Sequence, residues 1–196
     1  DDKATPILLN GLEKLEYRGY DSAGVAVYQN HSVEVVKSKG RLKNLCDILN
    51  SDNHMTGTLG IGHTRWATHG EPSDINSHPH CSENGSFAVV HNGIIENYLY
   101  LRDYLMNKGK RFASETDTEV VAQLLEYYYN GNILDTIIKV LSKIEGAYAL
   151  GIICKDDPDT LYAVRKDSPL IIGLGKGENF IASDIPAIID KSRDIY

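Results

Sequence analysis

The residues of this 196-residue chain with side chains suited to chemistry fall into four stretches: Tyr17-Arg18-Gly19-Tyr20-Asp21-Ser22-Ala23-Gly24; His63-Thr64-Arg65-Trp66-Ala67-Thr68-His69-Gly70; His91-Asn92-Gly93; and Ser114-Glu115-Thr116-Asp117-Thr118-Glu119. Each sets polar or charged groups at the expected end of a strand or start of a helix, where sites are usually built. An α-amino acid has a carboxylate that suits a planar, two-pronged cation and an ammonium that suits a carboxylate. Arg65 and Asp117 supply that pair, with Thr68 and His69 as further hydrogen-bonding groups. Amide hydrolysis also needs donors aimed at the oxygen that becomes negative. The side-chain amide of Asn92 and the N–H of Gly93 fit that role, since glycine lets a reacting carbonyl approach the main chain closely. A nucleophile is missing from the set.

Each stretch also has a plainer reading. Arg18 and Asp21 are spaced like a surface ion pair, and Asn92-Gly93 is a strong turn signal at a strand end. Thr116 to Glu119 is a capping box that satisfies free backbone amides, and an acid such as Asp117 in the first turn is favoured by the helix dipole. Trp66, the single tryptophan, suits a core as well as a gate. His63, His69, His78, His80, Cys81 and His91 lie within 29 residues and invite a zinc hypothesis. No CxxC pair, HExxH helix or EF-hand pattern accompanies them, so no metal or other cofactor is expected. Cys81, beside His78 and His80, is a candidate internal thiol nucleophile, although no helix start or glycine elbow adjoins it. Gly173-Leu174-Gly175-Lys176-Gly177 lacks the spacing and the Ser/Thr of a phosphate-binding loop and reads as a turn.

The elements that must position these groups follow from apolar periodicity. Thr5-Pro6 reads as an N-cap and first helical position, and Leu8, Leu12 and Leu15 mark a helix ending near Tyr17. Strands over 23–28 and 33–37 form a hairpin, a helix covers 42–49, and a buried strand covers 58–64. Residues 65–86, rich in His, Gly and Pro, read as one long surface loop. A strand over 87–91 ends at the Asn92-Gly93 turn. Helices follow over 96–107, from 116 through 128, and over 133–144. The remainder, 147–154, 160–165, 170–174 and 180–182, alternates strands with turns. Hairpin-spaced strands with inserted helices favour an α+β fold with mainly antiparallel sheets, in one domain.

Composition removes several function classes. The net charge of −7 argues against nucleic acid as a partner. No apolar run approaches the length that spans a bilayer, and no signal peptide is expected. Three widely spaced cysteines, Cys46, Cys81 and Cys154, point to a reducing cytoplasm rather than a disulfide framework.

Taken together, these stretches resemble the glutamine amidotransferase domain of the glucosamine-6-phosphate synthase (glutamine–fructose-6-phosphate aminotransferase) family. The likeness runs in order through Leu15 to Gly24, His63 to Ser73, His78-Pro79-His80, His91 to Asn97, Ser114 to Val120 and Ser168-Pro169-Leu170. Other class II amidotransferases share the Arg-Gly, Arg65-type and Asn-Gly features, but not the 17–24 and 66–73 wording together. The resemblance implies an N-terminal-nucleophile hydrolase fold, a four-layer αββα sandwich. It implies that Asn92 and Gly93 form an oxyanion hole, and that Arg65, Thr68, His69 and Asp117 hold L-glutamine. It further implies that Arg18 and Gly19 position an N-terminal cysteine, that Trp66 gates an ammonia passage, and that His78 lies near the site. Its partners would be the sugar-isomerase domains of a full-length homodimeric enzyme.

Family members begin with a strand, Cys-Gly-Ile-Val-Gly, before the segment that matches Asp1. The expectation is therefore that residues 1–196 are a domain truncated at both ends, missing its first strand, with no nucleophile among its three cysteines and no glutaminase activity of its own. The competing expectations are a non-catalytic amino-acid-binding or regulatory module, and a metal- or Cys81-dependent hydrolase.

Overall fold

A computed structural model describes residues 3–52, 55–66 and 70–196. Helix α1 (Ala4–Leu15) leads through a 3-10 turn (Glu16–Arg18) into strands β1 (Ser22–Gln29) and β2 (Ser32–Lys39), helix α2 (Leu42–Asp52) and strand β3 (Leu59–Arg65). Strands β4 (His80–Cys81) and β5 (Phe87–Ile95) precede three helices, α3 (Tyr98–Asn107), α4 (Thr118–Tyr128) and α5 (Ile133–Leu141). Then come β6 (Gly146–Cys154), β7 (Asp157–Lys166), β8 (Ile171–Leu174) and β9 (Asn179–Ala182), a second 3-10 turn (Ile185–Ala187) and β10 (Asp194–Ile195). Three sheets result, ordered β2-β1-β3, β4-β5-β6-β7 and β10-β8-β9, and every pairing of named strands in them is antiparallel.

Alternation along the central strands explains the layers. In β1, Ala23, Val25 and Val27 pack on Leu12 of α1 and Leu42, Leu45 and Leu49 of α2, whereas Ala26 turns to the opposite side. There it meets Ile61 of β3, Ala88 of β5 and Ile153 of β6, so the first two sheets stack face to face. On the far side of the second sheet, Phe87, Val89, Ile95, Leu150 and Ile152 pack against Leu105, Leu124, Leu125 and Val140 of α3 to α5. Helix, sheet, sheet, helix is the four-layer αββα arrangement. Strands buried on both faces read as continuous apolar runs, which is why β1 and β6 carry little polar alternation.

Local expectations fail where distant partners decide the backbone. Asn92-Gly93 is no hairpin turn: β5 runs on to Ile95, with Asn92 opposite Ala149 and Gly93 opposite Tyr148 of β6. Helix α1 begins at Ala4, two residues before the expected start, and the Thr5 hydroxyl donates to the Met55 carbonyl instead of capping. The stretch 65–86 is not all surface loop either, since Asn76, Ser77, His78 and His80 are buried and β4 pairs with β5. Asn76 makes that burial tolerable by bonding Glu71 O and Glu115 Oε2 through Nδ2 and accepting from Glu115 N through Oδ1.

Candidate active site

The strand phases that build the layers also deliver polar groups to one place. Gly60 and Gly62 of β3 face α1, where a Cβ would press on Leu8 and Leu12, while Ile61 faces the second sheet. His63 and Arg65, in phase with Ile61, therefore point into the space between the sheets. In β5, Ala88 faces that space, and Asn92 is in phase with it. A cavity of about 1250 Å³ opens there, and its walls include Arg18, His63, Arg65, Trp66, His78, Asn92, Gly93 and Asp117.

Arg65 is only 4% exposed, and its Nη2 donates to the Gly70 carbonyl at 3.1 Å. Burial lowers its pKa from the usual value, opposed by the negative charges of Asp21 and Asp117, and a guanidinium stays charged under such a shift. Asp117 is buried at the start of α4, where its Oδ2 accepts the Ile95 amide at 2.8 Å and stands 3.9 Å from His91 Nδ1. His91 Nδ1 is 2.8 Å from Thr118 Oγ1. The start of α4 is thus tied to the end of β5.

The capping box takes another form. Thr116 Oγ1 faces His80 Nε2 at 3.0 Å instead of capping the helix. Glu119 reaches back past it, accepting from the amides of Ala113 and Ser114 and from the Ser114 hydroxyl. Gly93 sits at φ +116°, and a Cβ there would lie 2.1 Å from the Ala147 carbonyl oxygen, so only glycine fits. Asn92 Oδ1 is 2.8 Å from His63 Nε2.

Three imidazoles stack beside these groups. The His63 and His78 rings lie 4.3 Å apart and nearly parallel, and His80 meets His78 edge-on at 4.8 Å. Burial pushes His63 down to about 4 and holds His78 and His80 well below the ordinary histidine range, with neighbouring positive groups adding to the effect. The rings are neutral at pH 7. Among the described residues, no three His, Cys, Asp or Glu side chains converge as metal ligands do.

Of the other expected site residues, Arg18 bonds Ser183 and pairs with Asp184 at 3.6 Å, so its ion-pair partner is Asp184 rather than Asp21. Gly19 does not line the cavity; it lies against β3, where a Cβ would come 3.0 Å from the Thr64 carbonyl. Trp66 is 56% exposed at the cavity wall, edge-on to Tyr20. Thr68 and His69 lie outside the described residues. Sequence reading missed His63 as the contact of Asn92, though its position two residues before Arg65 on one strand was the available signal. It had no signal for Ser183 and Asp184. Cys46, Cys81 and Cys154 all lie away from the cavity wall, and burial pushes the Cys81 thiol up to about 11.

Residues 63–190 match the family described as glutamine amidotransferase domain. The chain is 63% identical over its whole length to glutamine–fructose-6-phosphate aminotransferase [isomerizing] of Caldanaerobacter subterraneus, and 59% identical over 99% of its length to that of Clostridium tetani. It spans 32% of each, about a third of the length of these relatives. Among solved structures, the glutamine phosphoribosylpyrophosphate amidotransferase of B. subtilis superimposes with a TM-score of 0.82 at 28% identity, over 97% of this chain and 42% of that one. The fold is that of the N-terminal-nucleophile hydrolases. With the family model covering well over half of it, the chain belongs to the glutamine amidotransferase domain family.

Proposed function

We propose that the cavity binds L-glutamine and that this domain hydrolyses its side-chain amide. The ammonia would serve the sugar-isomerase domains of a longer, homodimeric cytoplasmic enzyme that converts fructose 6-phosphate to glucosamine 6-phosphate. The supporting observation is that Arg65, Asp117, Asn92 and Gly93, distant in sequence, open on one cavity. Arg65 takes the glutamine carboxylate bidentately and Asp117 takes its ammonium, which leaves the amide end toward Asn92 and Gly93.

The thiol is assigned to an N-terminal cysteine outside residues 1–196, with its own α-amino group, of ordinary pKa near 8, as the base. The thiolate attacks the amide carbon, and the oxygen that gains charge is met by Asn92 Nδ2–H and the Gly93 N–H. The tetrahedral adduct collapses, ammonia leaves with a proton from the α-ammonium, and water then cleaves the thioester to glutamate. Trp66, at the cavity wall, gates the ammonia path, and Arg18 and Gly19 position the N-terminal residue. On this reading residues 1–196 alone release no glutamate.

The test is glutamate release by the full-length protein carrying Arg65→Lys. Losing one prong of a charged pair costs roughly 1.5–3 kcal/mol, so KM for glutamine should rise roughly 10- to 100-fold with kcat little changed. An unchanged KM in both Arg65→Lys and Asp117→Asn would remove the cavity as the glutamine site. Calorimetric binding of glutamine by the full-length protein without glutamate release would make the domain a non-catalytic amino-acid-binding module.

A further inference from the structure

A carboxamide has two ends of similar shape and opposite polarity, and only one of them can stabilise an anion. With Nδ2 toward the cavity, Asn92 donates to a developing oxyanion; turned over, it presents an oxygen that repels the same charge. Something must therefore fix the rotation of this amide. The contact that does so crosses from one sheet to the other: His63 Nε2 on β3 lies 2.8 Å from Asn92 Oδ1 on β5.

That contact fixes the orientation only if Nε2 carries the proton. The surroundings of the ring favour this tautomer. His63 Nδ1 is buried and makes no hydrogen bond of ordinary geometry among the described residues, and the one further polar contact of the ring there is a backbone bond with His91 that favours a protonated nitrogen. A bare lone pair stranded at Nδ1 costs less than a stranded N–H. The ring cannot turn over cheaply either, because its face is stacked on His78 at 4.3 Å. His78 is braced in turn by the edge of His80, whose Nε2 is 3.0 Å from Thr116 Oγ1.

We propose that His63 is a positioning residue: its Nε2–H holds Asn92 Oδ1, so that the Asn92 amide nitrogen faces the cavity, and the stacked imidazoles hold His63 for that purpose. The proposal rests on Asn92 acting as an oxyanion donor, the reading given above. Asn92 is itself at the cavity wall, so the free end of its amide is within reach of a ligand there. His63 also stands at the cavity wall, and the role assigned to it is the one it exerts through Asn92. A structural role alone would make its replacement a matter of folding, whereas a positioning role makes it a matter of kcat and of the hydrogen-bond donor.

The experiment measures glutamate release by the full-length protein in four forms beside the wild type, with a fifth in reserve. His63→Phe keeps a ring to stack on His78 but removes the donor, and His63→Leu stands in for it should the phenylalanine form not fold. His63→Gln restores an N–H donor. Asn92→Ala and the double variant His63→Phe/Asn92→Ala complete the cycle. The expected result is a kcat lower by roughly 10- to 100-fold in His63→Phe, with KM for glutamine unchanged, and most of that loss recovered in His63→Gln. Asn92→Ala should lose roughly 100- to 1000-fold, and the double variant should be no worse than Asn92→Ala. A wild-type kcat in His63→Phe would overturn the proposal, as would equal losses in the glutamine and phenylalanine forms at equal Tm. So would losses that multiply in the double variant, because His63 would then act independently of Asn92. A wild-type kcat in Asn92→Ala has a different meaning: it would remove the oxyanion reading, and the proposal with it.

Discussion

Gly93→Ala is the sharpest test of how the cavity is built. At this position φ is +116°, and the added Cβ would lie 2.1 Å from Ala147 O, 2.9 Å from Ala147 C and 3.0 Å from Tyr148 Cα. All three atoms are backbone of β6, directly opposite in the ladder, so no side chain can swing aside. Ordinary contact begins at 3.4 Å, and the first distance falls more than 1 Å short of it, so β5 and β6 must part at the end that carries Asn92. A side chain in the left-handed region costs about 1–3 kcal/mol, and forced separation of packed backbone about 1–3 kcal/mol more. For a chain of this length each kcal/mol lowers Tm by about 2–4 °C, so a midpoint of about 4 kcal/mol corresponds to a drop of roughly 8–16 °C. Gly109→Ala is the control: φ is +87°, but nothing lies within 4 Å of its Cβ, leaving only the conformational cost of about 1 kcal/mol, roughly 2–4 °C. Thermal unfolding followed by circular dichroism reads both variants. In the full-length protein, a displacement of about 1 Å at the oxyanion donors should also cost about 100-fold in kcat. A Gly93→Ala protein as stable as Gly109→Ala and fully active would refute both the clash and the placement of this glycine at the reacting centre.

Three further outcomes are expected. Glu119→Ala strands the Ala113 and Ser114 amides and leaves the Ser114 hydroxyl only its contacts with Thr116, which should cost about 3 kcal/mol or more and lower Tm by roughly 6–12 °C; a change under about 2 °C would contradict the network. His63, His78 and His80 are all depressed below the ordinary histidine value. Between pH 6.5 and about 4 the unfolded chain holds protons that the folded chain refuses, so stability is full above pH 6.5 and falls as pH drops, by up to about 1.4 kcal/mol per unit for each histidine. Calorimetry in buffers of different ionisation enthalpy at pH 5.5 should register uptake of about two or more protons on unfolding, and none would sink the neutral stack. Cys81→Ala, which removes a thiol pushed up to about 11 and away from the cavity, should leave glutamate release by the full-length protein unchanged; its collapse would restore Cys81 as the nucleophile.

Much of the fold was legible because it follows from local apolar periodicity. Leu8, Leu12 and Leu15 marked α1, and the runs through β1 and β6 marked strands. Arg65, Asn92 and Asp117 were legible as a set because their chemistry is complementary, although nothing local says that β3, β5 and α4 meet. What failed was decided by partners distant in sequence. Asn92-Gly93 has the dipeptide signature of a turn, yet β6 supplies a ladder that carries the strand past it, with Gly146 also at positive φ opposite Ile95. Thr116 and Glu119 have the spacing of a capping box, but a buried imidazole competes for the threonine hydroxyl. Arg18 finds its partners in Ser183 and Asp184, at the other end of the chain, where no sequence pattern points. His63 was visible only as a histidine in phase with Arg65; its contact with Asn92 exists because two sheets stack.

The two halves of the cavity belong to different sheets. Arg65 stands on β3, whereas Asn92, Gly93 and the tethered Asp117 move with β5 and α4, and Ala26 and Ala88 meet between the two sheets. On the proposed reading, the gap between the sheets works as a calliper: it sets how far an amino acid's carboxylate can sit from its amide. Discrimination between glutamine and the one-carbon-shorter asparagine then resides in the smallness of two alanines that never touch either molecule.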